Sequence, residues 1–185
     1  MRPVRYNVAA SLDGYIAGPN GEYDWIPEDP TVDFAAIFAD VDTILVGRRS
    51  YEAMQGGPSF FTGKMRGYVF SSTLRQADCP GVTVVSGDAA STVAALRAEP
   101  GKGEIWLFGG GELFRALLDA GQVDRVEVTI VPVLLGAGVP LVPPGLRAGL
   151  RLLDTKVYPS GMVTLRYEAG EGGMGRERAG PGGSA

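Results

Sequence analysis

The stretch LFGGGELFRALLDAGQVD, from Leu107 to Asp124, decides the fold. It joins an apolar run, three consecutive glycines and a segment whose apolar residues recur at helical spacing. Glycine costs backbone entropy and has no side chain to pack, so three in a row indicate that something approaches the backbone closely. A helix that begins there offers unpaired N–H groups and a partial positive charge. The usual ligand at such a helix start is a phosphate.

Composition restricts the class of protein. The chain has 185 residues, 45% of them apolar, which is enough for one domain with a substantial core. The net charge is −4 and the basic residues are scattered, which argues against a nucleic-acid partner. There is no histidine and only one cysteine, so we expect no metal site and a reducing compartment. Without a signal-peptide pattern, and with prolines interrupting the long uncharged stretch 128–146, a soluble, cytoplasmic protein is expected.

Short apolar runs alternate with helical patterns along most of the chain. Five runs predict buried strands: Asn7–Ser11, Thr43–Val46, Tyr68–Phe70, Val82–Val85 and Ile105–Phe108. Four segments between them predict helices: Val32–Ala39, Arg49–Met54, Ala89–Ala98 and Glu112–Ala120. This alternation predicts an α/β domain with a mainly parallel central sheet and helices on both faces.

The C-terminal part has a different pattern. Arg125–Val131 alternates polar and apolar residues, and Leu150–Tyr158 and Met162–Tyr167 flank a Pro-Ser-Gly turn. We therefore expect antiparallel strands at one edge of the parallel sheet. Because glycine dominates residues 170–185, that segment is predicted to be a disordered tail after a domain that spans residues 1–169.

The glycine triplet matches neither of two familiar nucleotide-binding loops. A Rossmann loop requires a further glycine where this chain has Glu112, Leu113 and Phe114. A P-loop requires Gly-Lys followed by Ser or Thr, and neither Gly-Lys pair in the chain is followed by one. The triplet alone is therefore equally compatible with close helix–sheet packing and with phosphate binding.

Anion-seeking groups follow two other predicted strands. In VGRRSYEAM, residues 46–54, two arginines and a serine occupy the first helical turn, where cations are unfavourable unless an anion lies nearby. In VFSSTLR, residues 69–75, a strand ends in three hydroxyls. Solvated arginines and a capped turn would explain each segment separately. Because ligands bind at the carboxyl ends of parallel strands, one nicotinamide dinucleotide with a 2′-phosphate explains all three segments together.

These segments resemble the dihydrofolate reductase superfamily. VGRRSYEAM, VFSST and IWLFGGGELF occur in its order and rough spacing. The segment GGGELFRALLDAGQVDRVEVTIVPVLLG is still more similar to the reductase domain of bacterial riboflavin biosynthesis, the RibD C-terminal family, and SLDGYIAGPNGEYDWI matches the opening of that family. The resemblance covers residues 4–167.

The resemblance implies that NADPH is the cofactor and identifies the residues that would bind it. Ala9 and Ala10 would place backbone groups beside the nicotinamide. The residues implied to surround the phosphates are Gly47, Arg48, Arg49, Ser50, Ser71, Ser72, Thr73, Gly109, Gly110, Gly111, Glu112 and Leu113. Similar small proteins are often homodimers, so a homodimer is implied as well.

Several residues are candidates for proton delivery and substrate binding. Asp13 in SLDG is the first candidate catalytic residue and Asp33 the second. Each also has an ordinary explanation, as a turn after a strand and as a helix first-turn carboxylate. Water is a further proton source, and so is Tyr15, which is also expected to contact the substrate. Tyr23 and Trp25 would stack on a flat heterocycle, although aromatic residues more often simply belong to the core.

The predicted function is hydride transfer from NADPH to a pyrimidine- or pterin-like compound. The nearest activity is that of 5-amino-6-(5-phosphoribosylamino)uracil reductase; the alternatives are a dihydrofolate reductase-type enzyme and a non-catalytic NADP(H)-binding module. Riboflavin reductases usually carry Asp-Asp-Pro and then Leu-Thr where this chain reads GRRSYEAMQGG, which weakens the case for the phosphoribosyl substrate. For Gly111→Val we predict loss of cofactor binding with the fold largely intact.

Overall fold

Strands and helices alternate in the computed structural model, which describes residues 1–54, 65–101 and 103–170. The strands are β1 Val4–Ser11, β2 Tyr15–Ala17, β3 Val41–Gly47, β4 Arg66–Phe70, β5 Val82–Val85, β6 Glu104–Gly109, β7 Arg125–Val131, β8 Val139–Pro140, β9 Leu150–Val157 and β10 Val163–Ala169. The α-helices are α1 Phe34–Phe38, α2 Arg48–Met54, α3 Ala89–Ala98 and α4 Gly111–Asp119. The predicted tail lies, from residue 171 onward, outside the described residues.

Eight strands form one sheet in the order β5-β4-β3-β6-β1-β7-β10-β9. The six strands from β5 to β7 are parallel. β10 and β9 are antiparallel additions beyond β7. The predicted mainly parallel sheet with antiparallel C-terminal edge strands is therefore confirmed. A separate ribbon of β2 and β8, which pairs Tyr15 with Pro140, was not predicted.

The core lies on both faces of the sheet. Leu107 packs with Leu96 of α3 and Leu117 of α4 on one face. Its neighbour Trp106 packs with Phe38 of α1 on the other. Adjacent residues of a strand point to opposite faces, so α3 and α4 cover one face and α1 covers the other. This arrangement confirms helices on both sides.

Local signals set the helix ends. The side chain of Asp88 accepts a hydrogen bond from Ser91 N at 2.8 Å and caps α3 as expected. Gly121 ends α4 with φ of 65°, in the left-handed region that favours glycine. α1 is shorter than predicted because the side chain of Asp33 accepts from Ala36 N at 2.9 Å, which starts the helix at Phe34. None of the helices in the described ranges is both long and apolar enough to cross a membrane.

Candidate functional site

Two glycine turns touch at the edge of the sheet where the parallel strands end. β3 and β6 pair so that Val46 lies opposite Gly109, and Gly47 and Gly110 follow them. A Cβ on Gly110 would lie 3.6 Å from Cα of Gly47, and one on Gly47 would lie 3.7 Å from the carbonyl oxygen of Gly109. Gly110 has φ of +94°, which L side chains rarely adopt. The backbone conformation at Gly110 therefore favours glycine, whereas a Cβ on Gly47 would make only ordinary contacts.

Ser50 joins this contact from the first turn of α2. Its Oγ lies 3.4 Å from the place that a Cβ on Gly109 would occupy and 3.8 Å from the corresponding place on Gly110. We call Gly47, Ser50, Gly109 and Gly110 the glycine cluster. Beside it, the first helical hydrogen bond of α4 runs from Phe114 N to Gly110 O at 3.0 Å. The N–H groups of Gly111, Glu112 and Leu113 precede that bond and have no partner within the helix. Together with the Ser50 hydroxyl, they form a set of donors that suits a phosphate.

Gly111 has a different neighbour from the other two glycines of the triplet. A Cβ on it would lie 2.9 Å from the carbonyl oxygen of Pro140 and 3.2 Å from Cδ of Pro143. Those atoms belong to a segment that packs over the start of α4, so any side chain there forces a shift. The prediction that Gly111→Val leaves the fold largely intact is therefore wrong. A substitution at Gly111 cannot separate cofactor binding from packing.

The arginines after β3 lie on the surface of α2. Arg48 Nη1 is 2.9 Å from Glu52 Oε2, an exposed i,i+4 pair. Such pairs contribute little to stability, so an anion could exchange for this partner at small cost. Arg49 is exposed at the same edge of the sheet.

Of the three hydroxyl residues after β4, Ser71 has a structural role and Ser72 and Thr73 are exposed. Ser71 Oγ accepts hydrogen bonds from Thr73 N at 3.1 Å and Leu74 N at 3.0 Å, which closes a turn. Ser72 and Thr73 are exposed. The ordinary explanation thus holds for the Ser71 hydroxyl, and the other two remain accessible at this edge.

Asp13 ties together the loops that follow β1 and β7. Its carboxylate accepts from Ser11 Oγ at 2.6 Å, Gly136 N at 2.7 Å and Leu135 N at 3.1 Å. The Ser11 hydrogen bond, followed by those backbone donors, holds the pKa of Asp13 below its usual range. A carboxylate held ionised in this way positions the two loops, and it is poorly suited to donate a proton.

Asp13→Asn is expected to destabilise the protein at neutral pH, because an amide can accept only through one oxygen. A depressed folded-state pKa stabilises the fold above the unfolded pKa of about 3.9, and that contribution is lost as pH falls through the lower folded value. The difference in Tm between wild type and Asp13→Asn should therefore shrink as pH is lowered below about 4. A difference that stays constant down to pH 2.5 would contradict the proposed anchor.

The other residues predicted to contact the substrate or to deliver a proton do not form one group in the structure. Trp25 and Ala9 both pack against the apolar cluster that contains Val131, and Trp25 Nε1 donates to the Glu22 carbonyl at 3.1 Å. Tyr23 is 62% exposed. Tyr15 is half-buried on β2, where its N–H donates to Ser11 Oγ. The carboxylate of Asp33 is exposed and caps its own helix.

A polar group on the α1 face of the sheet was missed by the sequence analysis. We call Asn7, Glu127, Thr129 and Thr164 the polar row. Asn7 Nδ2 donates to Glu127 Oε2 at 2.8 Å, and the Thr129 and Thr164 hydroxyls are 2.7 Å apart. The alternation of polar and apolar residues in β7 could have pointed to Glu127 and Thr129. That pattern does not show whether the polar face is exposed to solvent, and in the structure Glu127 is only 9% exposed.

A cavity of about 340 Å³ lies on the α4 face of the sheet, and no residue of the glycine cluster lines it. Its apolar lining comes from α4, β7, β10 and the segment before β9, and includes Phe114, Leu118, Val128, Leu141, Leu165 and Tyr167. Its one charged lining residue, Arg115, is paired with Asp119, so the lining has no cation free for an anion. The candidate cofactor site is therefore the shallow edge around the glycine cluster.

The fold and this edge define an α/β protein with a candidate anion-binding site at the carboxyl ends of its parallel strands. The chain belongs to the RibD C-terminal domain family, whose sequence model matches residues 2–164. The family is the one that the resemblance indicated.

Related proteins and solved structures agree with this assignment. The chain is 32% identical to an uncharacterized Bacillus subtilis (strain 168) protein, YyaP, over 180 residues, which cover 90% of this chain and 95% of YyaP. A structure from Shewanella sp. PV-4 that is named as a riboflavin biosynthesis protein has a TM-score of 0.78 and 27% identity, and the match covers 92% of this chain and 99% of that one. A Thermotoga maritima diaminohydroxyphosphoribosylaminopyrimidine deaminase/5-amino-6-(5-phosphoribosylamino)uracil reductase shares the fold, with a TM-score of 0.67 and 18% identity over 91% of this chain and 57% of that one.

Proposed function

We propose that the protein is an NADPH-dependent reductase that transfers a hydride to a flat pyrimidine- or pterin-like molecule. The observation that carries this proposal is the contact between the two glycine turns. It brings bare backbone, the Ser50 hydroxyl and the start of α4 to one point of the sheet edge. Membership of the RibD C-terminal family supports a reductase activity. The choice of NADPH as the cofactor rests on the resemblance described in the sequence analysis.

The residues present fit such a cofactor. The glycine cluster and the N–H groups of Gly111, Glu112 and Leu113 would hold its diphosphate, while Arg48, Arg49, Ser72 and Thr73 would hold the adenosine phosphate. The backbone of Ala9 and Ala10 would orient the nicotinamide. When bound, NADPH would supply the hydride, so the chain would need only to hold the acceptor in a near-attack geometry. The lack of histidine is therefore no obstacle.

The proton for the product is proposed to come from water. The roles of Asp13 and Asp33 as proton donors, expected from the sequence, remain predictions. The three hydrogen bonds to the Asp13 carboxylate support a positioning role instead, and Asp33 is occupied as a helix cap.

Calorimetry with NADPH and a turnover assay test the function. We expect heat on addition of NADPH to the purified chain. Loss of reduced-nicotinamide absorbance with the aminouracil ribosyl phosphate would favour the riboflavin-type activity, and loss with dihydrofolate would favour the alternative reductase. Binding without turnover across the panel would favour a non-catalytic NADP(H)-binding module. Absence of binding, under conditions where a known NADPH-binding protein gives heat, would overturn the proposal.

We also propose that the protein is a homodimer and that β9 forms its interface. All eight residues of this edge strand are exposed. Leu150, Leu152 and Val157 are 41%, 51% and 72% exposed, and Leu150 also lines the apolar cavity on the α4 face. An exposed apolar edge strand is an aggregation hazard unless a partner covers it. A second copy would extend the sheet and bury these side chains.

Leu152→Lys is expected to convert a dimer into a monomer in analytical ultracentrifugation, because it places a charge on the proposed interface. Leu134→Lys is the matched control, since Leu134 is 69% exposed in the loop after β7 and should leave the dimer unchanged. A monomeric wild type at tens of micromolar, or a dimeric Leu152→Lys variant, would refute the interface.

A further inference from the structure

We propose that Asp29 is a positioning residue that holds the segment between β2 and α1 over the nicotinamide end of the coenzyme site. We call this segment, residues 18–33, the strap. The proposal rests on the proposed reductase function, which places the nicotinamide beside Ala9. The observation that carries it is a hydrogen bond from Ser160 N, in the turn between β9 and β10, to Asp29 Oδ2 at 3.3 Å.

The strap has little regular structure of its own to fix its position. None of residues 18–33, all of which the structure describes, belongs to a helix or a strand. Its internal backbone hydrogen bonds are local, as in Gly18 N to Glu22 O at 2.8 Å and Val32 N to Asp29 O at 3.0 Å. Bonds of this range shape single turns, so the position of the strap on the sheet depends on its side chains.

Three apolar side chains of the strap pack against a buried cluster at the end of β7. The side chains are Trp25, Ile26 and Val32, and the cluster consists of Val131, Tyr158 and Met162. Ala9 packs against the same cluster, so the strap and the nicotinamide end of β1 share one support. Because apolar contacts have no preferred direction, this packing alone does not fix the strap in one position.

Asp29 supplies the directional contact. Its Oδ1 accepts from Thr31 N at 2.8 Å and from Thr31 Oγ1 at 2.5 Å, which shapes the strap locally. Its Oδ2 accepts from Ser160 N, which lies 131 positions further along the chain. Hydrogen bonding by the Ser160 side chain, followed by that of Thr31, lowers the pKa of Asp29 to about 2, so the group is ionised at neutral pH. One carboxylate therefore joins the strap to a different part of the fold.

The turn that receives Asp29 is itself firmly held. Tyr158 N donates to Met162 O and Gly161 N donates to Tyr158 O, both at 2.9 Å. Tyr158 and Met162, on either side of the turn, are only 7% and 3% exposed. Since both belong to the cluster that supports Ala9, Ser160 is a fixed point relative to β1.

The Asp29–Ser160 contact is expected to matter only for ligands that reach the nicotinamide end. The apparent affinity of such a ligand falls in proportion to the fraction of molecules in which the strap is closed. NADPH reaches this end of the site. The fragment 2′-phospho-ADP-ribose, which keeps the phosphates and lacks the nicotinamide, does not.

Asp29→Asn breaks the contact with Ser160 and keeps the local turn. An asparagine retains one oxygen for Thr31 but presents an NH₂ group, which only donates, to the N–H of Ser160. In calorimetry on the full-length protein, we expect this variant to bind NADPH at least about fivefold more weakly, as for a strap closed about one fifth of the time, and to bind 2′-phospho-ADP-ribose unchanged. Equal effects on the two ligands, or no effect on either, would overturn the proposal.

Asp24→Asn is the matched control. It makes the same chemical change within the strap, at an exposed residue whose carboxylate has no hydrogen bond or ion pair among the described residues. Both affinities should stay at their wild-type values. A loss of NADPH affinity equal to that of Asp29→Asn would assign the effect to charge rather than to the contact with Ser160, which would contradict the proposal.

Fluorine NMR with 5-fluorotryptophan tests the position of the strap without any ligand. The chain has two tryptophans, so the labelled protein gives two signals, which Trp25→Phe assigns. Asp29→Asn should move the Trp25 signal toward that of free 5-fluorotryptophan and leave that of the buried Trp106 in place. An unmoved Trp25 signal would refute the positioning role. Failure of the wild type to bind either ligand would instead bring down the proposed function, so the two failures are distinguishable.

Discussion

Replacing Gly47 by valine is expected to weaken NADPH binding at least about 100-fold, which corresponds to about 2.7 kcal/mol. The side chain would project between the two glycine turns, into the space where the diphosphate is proposed to lie. A Cβ at this position meets its nearest neighbours at 3.7 Å and 3.8 Å, which are ordinary contacts. Gly47→Ala should therefore fold like the wild type and show a smaller loss of affinity. Calorimetry with NADPH, together with a thermal unfolding curve, measures both effects.

Gly87→Val is the matched control for this series. Gly87 follows β5 at the same edge of the sheet, and a Cβ on it would meet nothing within 4 Å. This variant should bind NADPH as the wild type does. Unchanged affinity in a folded Gly47→Val variant would show that the glycine contact only serves packing, and the proposed cofactor site would be lost with it.

Arg5→Met is expected to lower the free energy of unfolding by about 3–5 kcal/mol, the range found when one partner of a buried ion pair is removed. Arg5 is 8% exposed, with Nε 2.9 Å from Glu104 Oε2 and Nη2 donating to the Ile37 carbonyl at 2.7 Å. Removing it leaves Glu104 with only the half-exposed Arg125 at 2.8 Å and Glu127 with only Arg166 at 3.8 Å, so both carboxylates lose their buried cation. Urea unfolding at neutral pH measures the loss.

Arg151→Met is the control, because the Arg151 and Glu168 side chains are 68% and 51% exposed and an exposed pair contributes only about 0–1 kcal/mol. The double variant Arg5→Met/Glu127→Gln should be more stable than Arg5→Met alone, because the buried carboxylate that lost its partner is replaced by a neutral amide. Similar losses for Arg5→Met and Arg151→Met would show that the Arg5 network is not effectively buried.

Most of the secondary structure was predictable because its signals are local. β5 and α3 have the predicted bounds, Val82–Val85 and Ala89–Ala98. Asp88 starts α3 and Gly121 ends α4 through local geometry within a few residues, so no knowledge of the fold was needed. The β2–β8 ribbon could not be predicted, because it joins residues more than 120 positions apart through two very short strands.

The candidate site was predictable in outline but not in detail. The order of strands and motifs was enough to expect Gly47 and Gly110 at one edge of a sheet. Pairing between β3 and β6 was needed to show that they touch, and packing of the segment around Pro140 was needed to show that Gly111 serves the fold. The anchoring contacts of Asp13 likewise come from a loop far along the chain.

The sequence by itself determined the α/β class, the parallel sheet with its antiparallel edge, the family and the glycine-rich edge. These depend on periodicity, turn residues and motif order, which are properties of neighbouring residues. Only the tertiary structure decided that Asn7, Glu127, Thr129 and Thr164 form one row, and which glycines touch. Burial and hydrogen bonding between side chains depend on the register of strands distant in sequence, and no local pattern records that register.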